Sequence, residues 1–227
     1  MIKAVVFDFD GLIMDTELPE YTVSKEMFRE RGAELSLDVW GECVGTHADH
    51  FDLIGHLEDQ IEQTVDREAF HEERSKRILS MLENGKPLPG VERYLEAAKE
   101  LGLKIGLASS SHYEWVGGHL RRLGLLDEFG CIRTADNVER VKPDPALYLQ
   151  AAECLGVRPE EAVAFEDSAN GALAAKRAGM YCVVVPNEVT ASLTFGDVDH
   201  RMESMAEMEL AALIAFLTND KKGEHLL

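Results

Sequence analysis

Apolar residues along the chain follow two different spacings, and the change between them divides it. The run Ile2-Lys3-Ala4-Val5-Val6-Phe7 is short, β-branched and almost wholly apolar, as expected for a strand covered on both faces of a parallel sheet. It ends directly in Asp8-Phe9-Asp10-Gly11, with Asp15-Thr16-Glu17 close behind. From about residue 18 to residue 84 the apolar positions recur at helical spacing among Glu, Arg and His, as in 21–31, 39–44 and 67–82, and no segment reads as a strand. Gly85-Lys86-Pro87-Leu88-Pro89-Gly90 then breaks the pattern, as a boundary or hinge would.

Beyond residue 91 the two spacings alternate. Helices are predicted over 91–101, 113–123, 145–155 and 170–178, and strands over 104–109, 162–165 and 181–185. Such alternation predicts an α/β fold, a Rossmann-like doubly wound parallel sheet with helices on both faces. The first strand belongs to that sheet, so the helical stretch is an insertion: a core of residues 1–15 and 87–227, and a small helical unit of residues 16–86. Residues 218–227 are expected to fray.

Composition narrows the partners. The hydrophobic share, 45 % of 227 residues, supports a true core. With 42 acidic against 23 basic residues the formal charge is -19, which argues against a nonspecific grip on nucleic acid or an anionic membrane. A small anionic substrate then needs a local positive centre: a lysine, a helix N-terminus or a divalent metal held by carboxylates. Cys43, Cys131, Cys154 and Cys182 form no C-x-x-C pair and are expected to be buried free thiols. No basic, apolar leader precedes the first strand, and no run reaches the roughly 18 to 20 apolar residues that span a bilayer. A cytoplasmic location is therefore expected.

Candidate chemistry sits at predicted strand ends, where open α/β sheets bind ligands. Asp8 and Asp10 leave the first strand, with Gly11 permitting an immediate turn. A solvated turn is the plain alternative. A calcium loop fits poorly, because Leu12 stands at its third acidic position, the glycine comes too early and a strand leads in. Ser109-Ser110-Ser111 offers hydroxyls and amides ahead of a helix, as an anion cradle or as an ordinary N-cap by Ser110 or Ser111. Lys142 precedes Pro143-Asp144-Pro145, where Asp144 suits a cap and Pro145 a first helical turn. Lys142 could aim an ammonium at the same crevice or simply be solvated. Glu166-Asp167-Ser168 ends another apolar strand in carboxylates, and two such ends in one sheet suggest a shared divalent cation. A nucleophile, a second carboxyl, an anion cradle, a lysine and metal-binding carboxylates are what phosphoryl transfer requires.

These residues also carry a resemblance. Asp8-Phe9-Asp10-Gly11-Leu12-Ile13-Met14-Asp15-Thr16-Glu17 is similar to the first motif of the haloacid dehalogenase superfamily. Ser109 is similar to its second motif, Lys142-Pro143 to its third, and Glu166-Asp167-Ser168 with Asn170-Gly171 to its fourth. Order and spacing match over nearly the whole chain, and the helical unit resembles the cap of the β-phosphoglucomutase-like branch. The resemblance implies an aspartyl-phosphate mechanism with Mg²⁺. Asp8 would be the nucleophile and Asp10 the general acid and base. The metal would be held by Asp8, the Asp10 backbone carbonyl and Asp167, with Glu166 as a ligand or just behind. Ser109, the Ser110 amide and Lys142 would hold the phosphoryl oxygens.

A Mg²⁺-dependent phosphatase acting on a small phosphomonoester, such as a sugar phosphate, is the leading expectation, with a sugar-phosphate mutase as the alternative. Dehalogenation is disfavoured because Asp10 supplies a second acid. A phosphonate-cleaving enzyme would need a cap lysine, and neither Lys25 nor Lys76 has a matching context. A silent binding protein on this fold would usually have lost Asp8 or Asp10. The mutases resemble this chain through Asp15-Thr16, but a few residues on they carry a His where Glu20 stands. They also carry an Arg in the first cap loop, where the chain reads Val44-Gly45-Thr46-His47-Ala48. Glu20, His47, His50, Arg74 and Lys76 are candidate cap contacts or plain surface residues, and Trp40 and Trp115 fit packing or surface roles as well as any site.

Overall fold

The computed structural model describes residues 1–41, 44 and 51–223. Six strands, β1 (Ala4–Phe7), β2 (Lys104–Ala108), β3 (Cys131–Arg133), β4 (Ala162–Glu166), β5 (Tyr181–Val184) and β6 (His200–Arg201), form one sheet in the order β3-β2-β1-β4-β5-β6. Every pairing is parallel. β1 lies in the middle, with Phe7 level with Leu107 of β2 and Phe165 of β4. Its four residues are wholly buried, and they alternate faces as the pleat demands. Val5 and Phe7 enter one core cluster, Ala4 and Val6 the other. The strand order reverses beside β1, which opens a crevice beyond the carboxyl ends of β1 and β4.

One face is covered by α5 (Val91–Glu100), α6 (Tyr113–Leu123) and α9 (Leu210–Gly223), the other by α7 (Ala146–Leu155) and α8 (Ala169–Ala178). The second face is built from small side chains, among them Ala151, Ala152, Ala172, Ala174 and Ala175, so the helices sit close to the strands. Between β1 and α5 lie α1 (Glu17–Glu30), α2 (Leu37–Gly41), α3 (Leu53–Ile61) and α4 (Arg67–Leu82). Asp52 and Asp66 cap α3 and α4, accepting from the Gly55 and Ala69 amides at 2.9 and 3.1 Å. Val23, Met27, Phe28, Ile54, Leu57 and Phe70 join these helices into the first core cluster through Phe9, Leu12, Ile13 and Met14. The two chain crossings touch: Met14 bridges to Pro87, and the Leu88 amide donates to the Ile13 carbonyl at 2.8 Å.

The longer predicted elements occur within a few residues of their expected bounds. The shorter ones do not announce themselves: β3 and β6 contain three and two residues, too few to show a period. The expected frayed tail is corrected through residue 223. α9 continues to Gly223, because Leu210, Leu213 and Leu217 are buried against the core and the Thr218 hydroxyl donates to the Ile214 carbonyl at 2.8 Å.

The expectation of free thiols is also corrected at two positions. α7 packs back over β2 and β3, which brings Cys154 to Cys131 with Cα atoms 6.2 Å apart, and the two form a disulfide. A separation of 23 residues hides that proximity in the sequence. Cys182 is buried and free as expected, and Cys43 lies outside the described residues.

Candidate active site

The β1 ladder carries one residue past the strand, the Asp8 amide donating to the Phe165 carbonyl at 3.0 Å. That places the Asp8 carboxylate at the floor of the crevice, 6 % exposed. Lys142 reaches the same floor from the loop before α7. Its ammonium donates to Asp8 Oδ1 and, at 2.7 Å, to Glu166 Oε1, so Lys142 is a buried ion-pair partner and not a solvated loop lysine. Burial alone would lower the Lys142 pKa, but the two carboxylates outweigh it and raise the value.

Glu166, Asp167 and Asp8 form an all-oxygen cluster in which one carboxylate oxygen from each lies within 4.8 Å of the others. The donor set suits a hard divalent cation. The three members are not equivalent. Glu166 Oε1 accepts from Lys142 and, at 2.6 Å, from the Tyr148 hydroxyl. Glu166 Oε2 accepts from the Asp167 amide and from the Ser168 amide and hydroxyl at 3.2 to 3.3 Å. Gly171 makes room for this arrangement, since a Cβ there would lie 1.9 Å from Glu166 Oε1. Asp167 is held from the other side by Asn187, whose Nδ2 donates to Asp167 Oδ2 at 2.7 Å and to the Gly11 carbonyl at 3.2 Å. Gly11, at φ 74°, would bring a Cβ within 2.3 Å of Asp167 Oδ2, so the turn after Asp10 requires glycine on two counts.

Without a cation this floor carries too much negative charge for so little water. The Asp8 carboxyl is raised to about 8, chiefly by burial and further by the Glu166 and Asp10 charges, with Lys142 opposing them. Burial, followed by the Asp8 charge, likewise holds Asp167 well above the usual carboxylate range. A bound divalent ion would reverse that balance.

Asp10 faces another environment, and its side chain lies outside the carboxylate cluster. Oδ1 accepts from Thr16 Oγ1 at 3.0 Å and Trp115 Nε1 at 2.8 Å. Oδ2 accepts from Ser111 Oγ at 2.7 Å and Ser109 Oγ at 3.3 Å. Ser109 is wholly buried and also accepts from the Ser111 amide at 3.0 Å. Neither Ser110 nor Ser111 is the N-cap of α6, a position taken by His112. Ser110 lines the cleft above Asp8.

That cleft encloses about 680 Å³ between the sheet and the helices inserted after β1. Glu20 and Arg74 line it and pair with each other at 2.8 Å. Arg74 also donates to Ser24 Oγ at 2.8 Å. Burial raises the Glu20 pKa, with Arg74 opposing. Trp40, Phe51 and His71 share the wall. Lys76 does not: it is exposed and lines a separate groove with Glu73 and Arg77. His47 and His50 lie outside the described residues.

Several residues around the site carry no distinctive pattern in the sequence. Thr16 reads only as part of a motif and Trp115 only as an aromatic, yet both hold Asp10. Tyr148 reads as an apolar helix position and Asn187 as a loop residue. A helical position carrying a hydroxyl on the face directed at the sheet was the one available hint for Tyr148.

Residues 2–179 match the model of the haloacid dehalogenase-like hydrolases. The chain is similar to "Putative phosphatase YhcW" of Bacillus subtilis (strain 168), with 58 % identity over 96 % of this chain and 99 % of that protein. It is similar to the "Phosphorylated carbohydrates phosphatase" of Thermotoga maritima, with 35 % identity over 79 % of this chain and 82 % of that one. Among solved structures, the β-phosphoglucomutase of Clostridium difficile superposes with a TM-score of 0.79 at 25 % identity, covering 96 % of this chain and 98 % of that one. The strand-end carboxylates, the buried lysine and the helical insertion thus have a common origin: the chain belongs to the haloacid dehalogenase-like hydrolase family, in its β-phosphoglucomutase-like branch.

Proposed function

We propose that this hydrolase is a Mg²⁺-dependent phosphatase of small sugar phosphates or similar phosphomonoesters, working through an aspartyl phosphate on Asp8. The carrying observation is the separation of two carboxyls on one turn. Asp8 is buried against Lys142 beside the Glu166–Asp167 pair, while Asp10 is held by hydroxyl and indole donors facing the cleft. Two carboxyls in unlike surroundings suit unlike roles.

In this reading Asp8 attacks phosphorus and Asp10 gives its proton to the departing oxygen, then takes one from the water that hydrolyses the aspartyl phosphate. Lys142 and the Ser109–Ser110 turn offset the charge on the transferring oxygens. Asp8 and Asp167 would hold Mg²⁺ by their side chains, with the Asp10 backbone carbonyl as a further ligand. Glu166, already accepting five hydrogen bonds, contributes mainly its charge and the placement of Lys142. The metal would supply charge stabilisation at the phosphoryl group. The helices of residues 16–86 act as a cap over the core of residues 1–15 and 87–227 and supply the distal wall of the cleft.

The mutase reading is favoured by the likeness to β-phosphoglucomutases. Against it stands Glu20, paired with Arg74 where those enzymes carry a histidine. The test offers glucose 6-phosphate, fructose 1-phosphate, ribose 5-phosphate, glycerol 3-phosphate and p-nitrophenyl phosphate with and without Mg²⁺, and follows released phosphate. A second arm supplies β-glucose 1-phosphate with a trace of the 1,6-bisphosphate. Metal-dependent phosphate release from a sugar phosphate is expected. Isomerisation outrunning phosphate release by about tenfold would transfer the assignment to the mutase.

A further inference from the structure

One face of α6 links the proposed acid to the return crossing between the inserted helices and the core. Trp115, His119 and Arg122 stand four and three residues apart and so share that face. At its inner end the Trp115 indole donates to Asp10 Oδ1 at 2.8 Å. In the middle, the His119 ring meets the Trp115 indole edge to face at 4.3 Å and stacks on Phe9 at 6.0 Å, where it is 7 % exposed. At the outer end, Arg122 Nη2 lies 2.9 Å from His119 Nδ1, and Nη1 donates to the carbonyls of Leu82 and, at 2.6 Å, Glu83. Those carbonyls end α4, whose last turn holds no basic residue of its own.

We propose that Trp115 is a positioning residue for Asp10, and that His119 and Arg122 hold its indole in place. The reasoning turns on the kind of donor. Thr16, Ser109 and Ser111 are hydroxyls, which rotate and both donate and accept. An indole N–H donates only, and its direction is fixed by the ring. With the ring packed between His119 and the cleft, this donor sets where Oδ1 lies and therefore how Asp10 faces a leaving oxygen. A carboxyl that transfers a proton must be held to a fraction of an ångström. The inference rests on the acid role given to Asp10 in the proposed function.

The substitution W115F keeps a ring in place and removes the N–H. With the Mg²⁺-loaded full chain, kcat/KM is compared between the best alkyl phosphate of the panel and p-nitrophenyl phosphate, whose leaving group departs without a proton. We expect W115F to lose about tenfold or more with the alkyl phosphate and less than about threefold with the aryl one, with Tm within about 2 °C of the parent. R122Q should show the same preference at smaller size. Equal losses on both substrates, or no loss, would overturn the proposal. Hydrolysis of neither substrate by the parent enzyme would instead overturn the phosphatase reading. The hydrogen bond has its own readout in the intact protein. W115F identifies the Trp115 indole N–H resonance by its disappearance, and Asp10→Ala should move that resonance upfield while leaving the Trp40 signal in place. An unmoved Trp115 resonance would show that the bond does not form.

Discussion

At the residue scale, the site works by giving chemically similar side chains different neighbours. Asp8 and Asp10 are two positions apart, yet one meets an ammonium and two carboxylates and the other a ring of hydroxyls and an indole. Asp8→Asn is expected to abolish turnover while the fold stays intact, because an amide is no nucleophile at phosphorus. Phosphate release or a trapped phosphoenzyme from that variant would exclude the mechanism. Asn187→Ala tests the brace on Asp167. Losing the residue that orients this proposed metal ligand should lower metal affinity by about tenfold or more. Calorimetric Mg²⁺ titration of the variant reads this directly, and an unchanged affinity would show that Asp167 needs no such support.

At the element scale, the buried stripe of α9 decides whether the C-terminal segment belongs to the core. Leu213 is fully buried, so Leu213→Ala should cost about 2 to 5 kcal/mol through lost burial and a residual cavity. Urea unfolding measures it, and a change within about 0.5 kcal/mol would mean that α9 is only loosely docked. Elements whose apolar period is clean over several turns were legible, as in α4, whose observed bounds match the predicted residues 67–82, whereas α3 and α9 did not stand out. β3 and β6 were not, since a strand of two or three residues is defined by the neighbour it pairs with. Nor was the Cys131–Cys154 bridge, which depends on α7 crossing back over β3.

At the scale of the whole molecule, electrostatics ties stability to pH and to metal. Burial raises Asp8 from 3.8 to about 8 and lifts Glu17 and Asp167 well above their usual range. In the metal-free protein the folded state therefore holds more protons than the unfolded state between about pH 4 and pH 8, so stability falls as pH rises through that window. Asp52 and Asp136, lowered to about 2 by hydrogen bonds, act in the opposite sense and lose their contribution only as the solution becomes strongly acidic. Melting in EDTA should accordingly show Tm dropping from about pH 5 to pH 8, and excess Mg²⁺ should raise Tm most at the upper end. A Tm in EDTA that is flat or rising over this range would contradict the charge-crowded floor.

The sequence by itself determined the strand ends that carry Asp8, Asp10, Ser109, Glu166 and Asp167, because local periodicity locates strands and a parallel sheet gathers their carboxyl ends on one side, whereas Lys142 comes from the loop before α7. It also set apart the inserted helices through their change of spacing and the proline-glycine break at residues 85–90. Tertiary structure alone decided how those groups are held. Trp115 lies 105 positions from Asp10, and Asn187 lies 20 from Asp167. Glu20 finds Arg74 only once α1 packs on α4, and Lys76, two residues further on, turns to another groove. Hydrogen bonds across such separations depend on the packing of whole helices against the sheet, and a pattern read over a dozen residues carries no record of which side chains that packing will bring within 3 Å of one another.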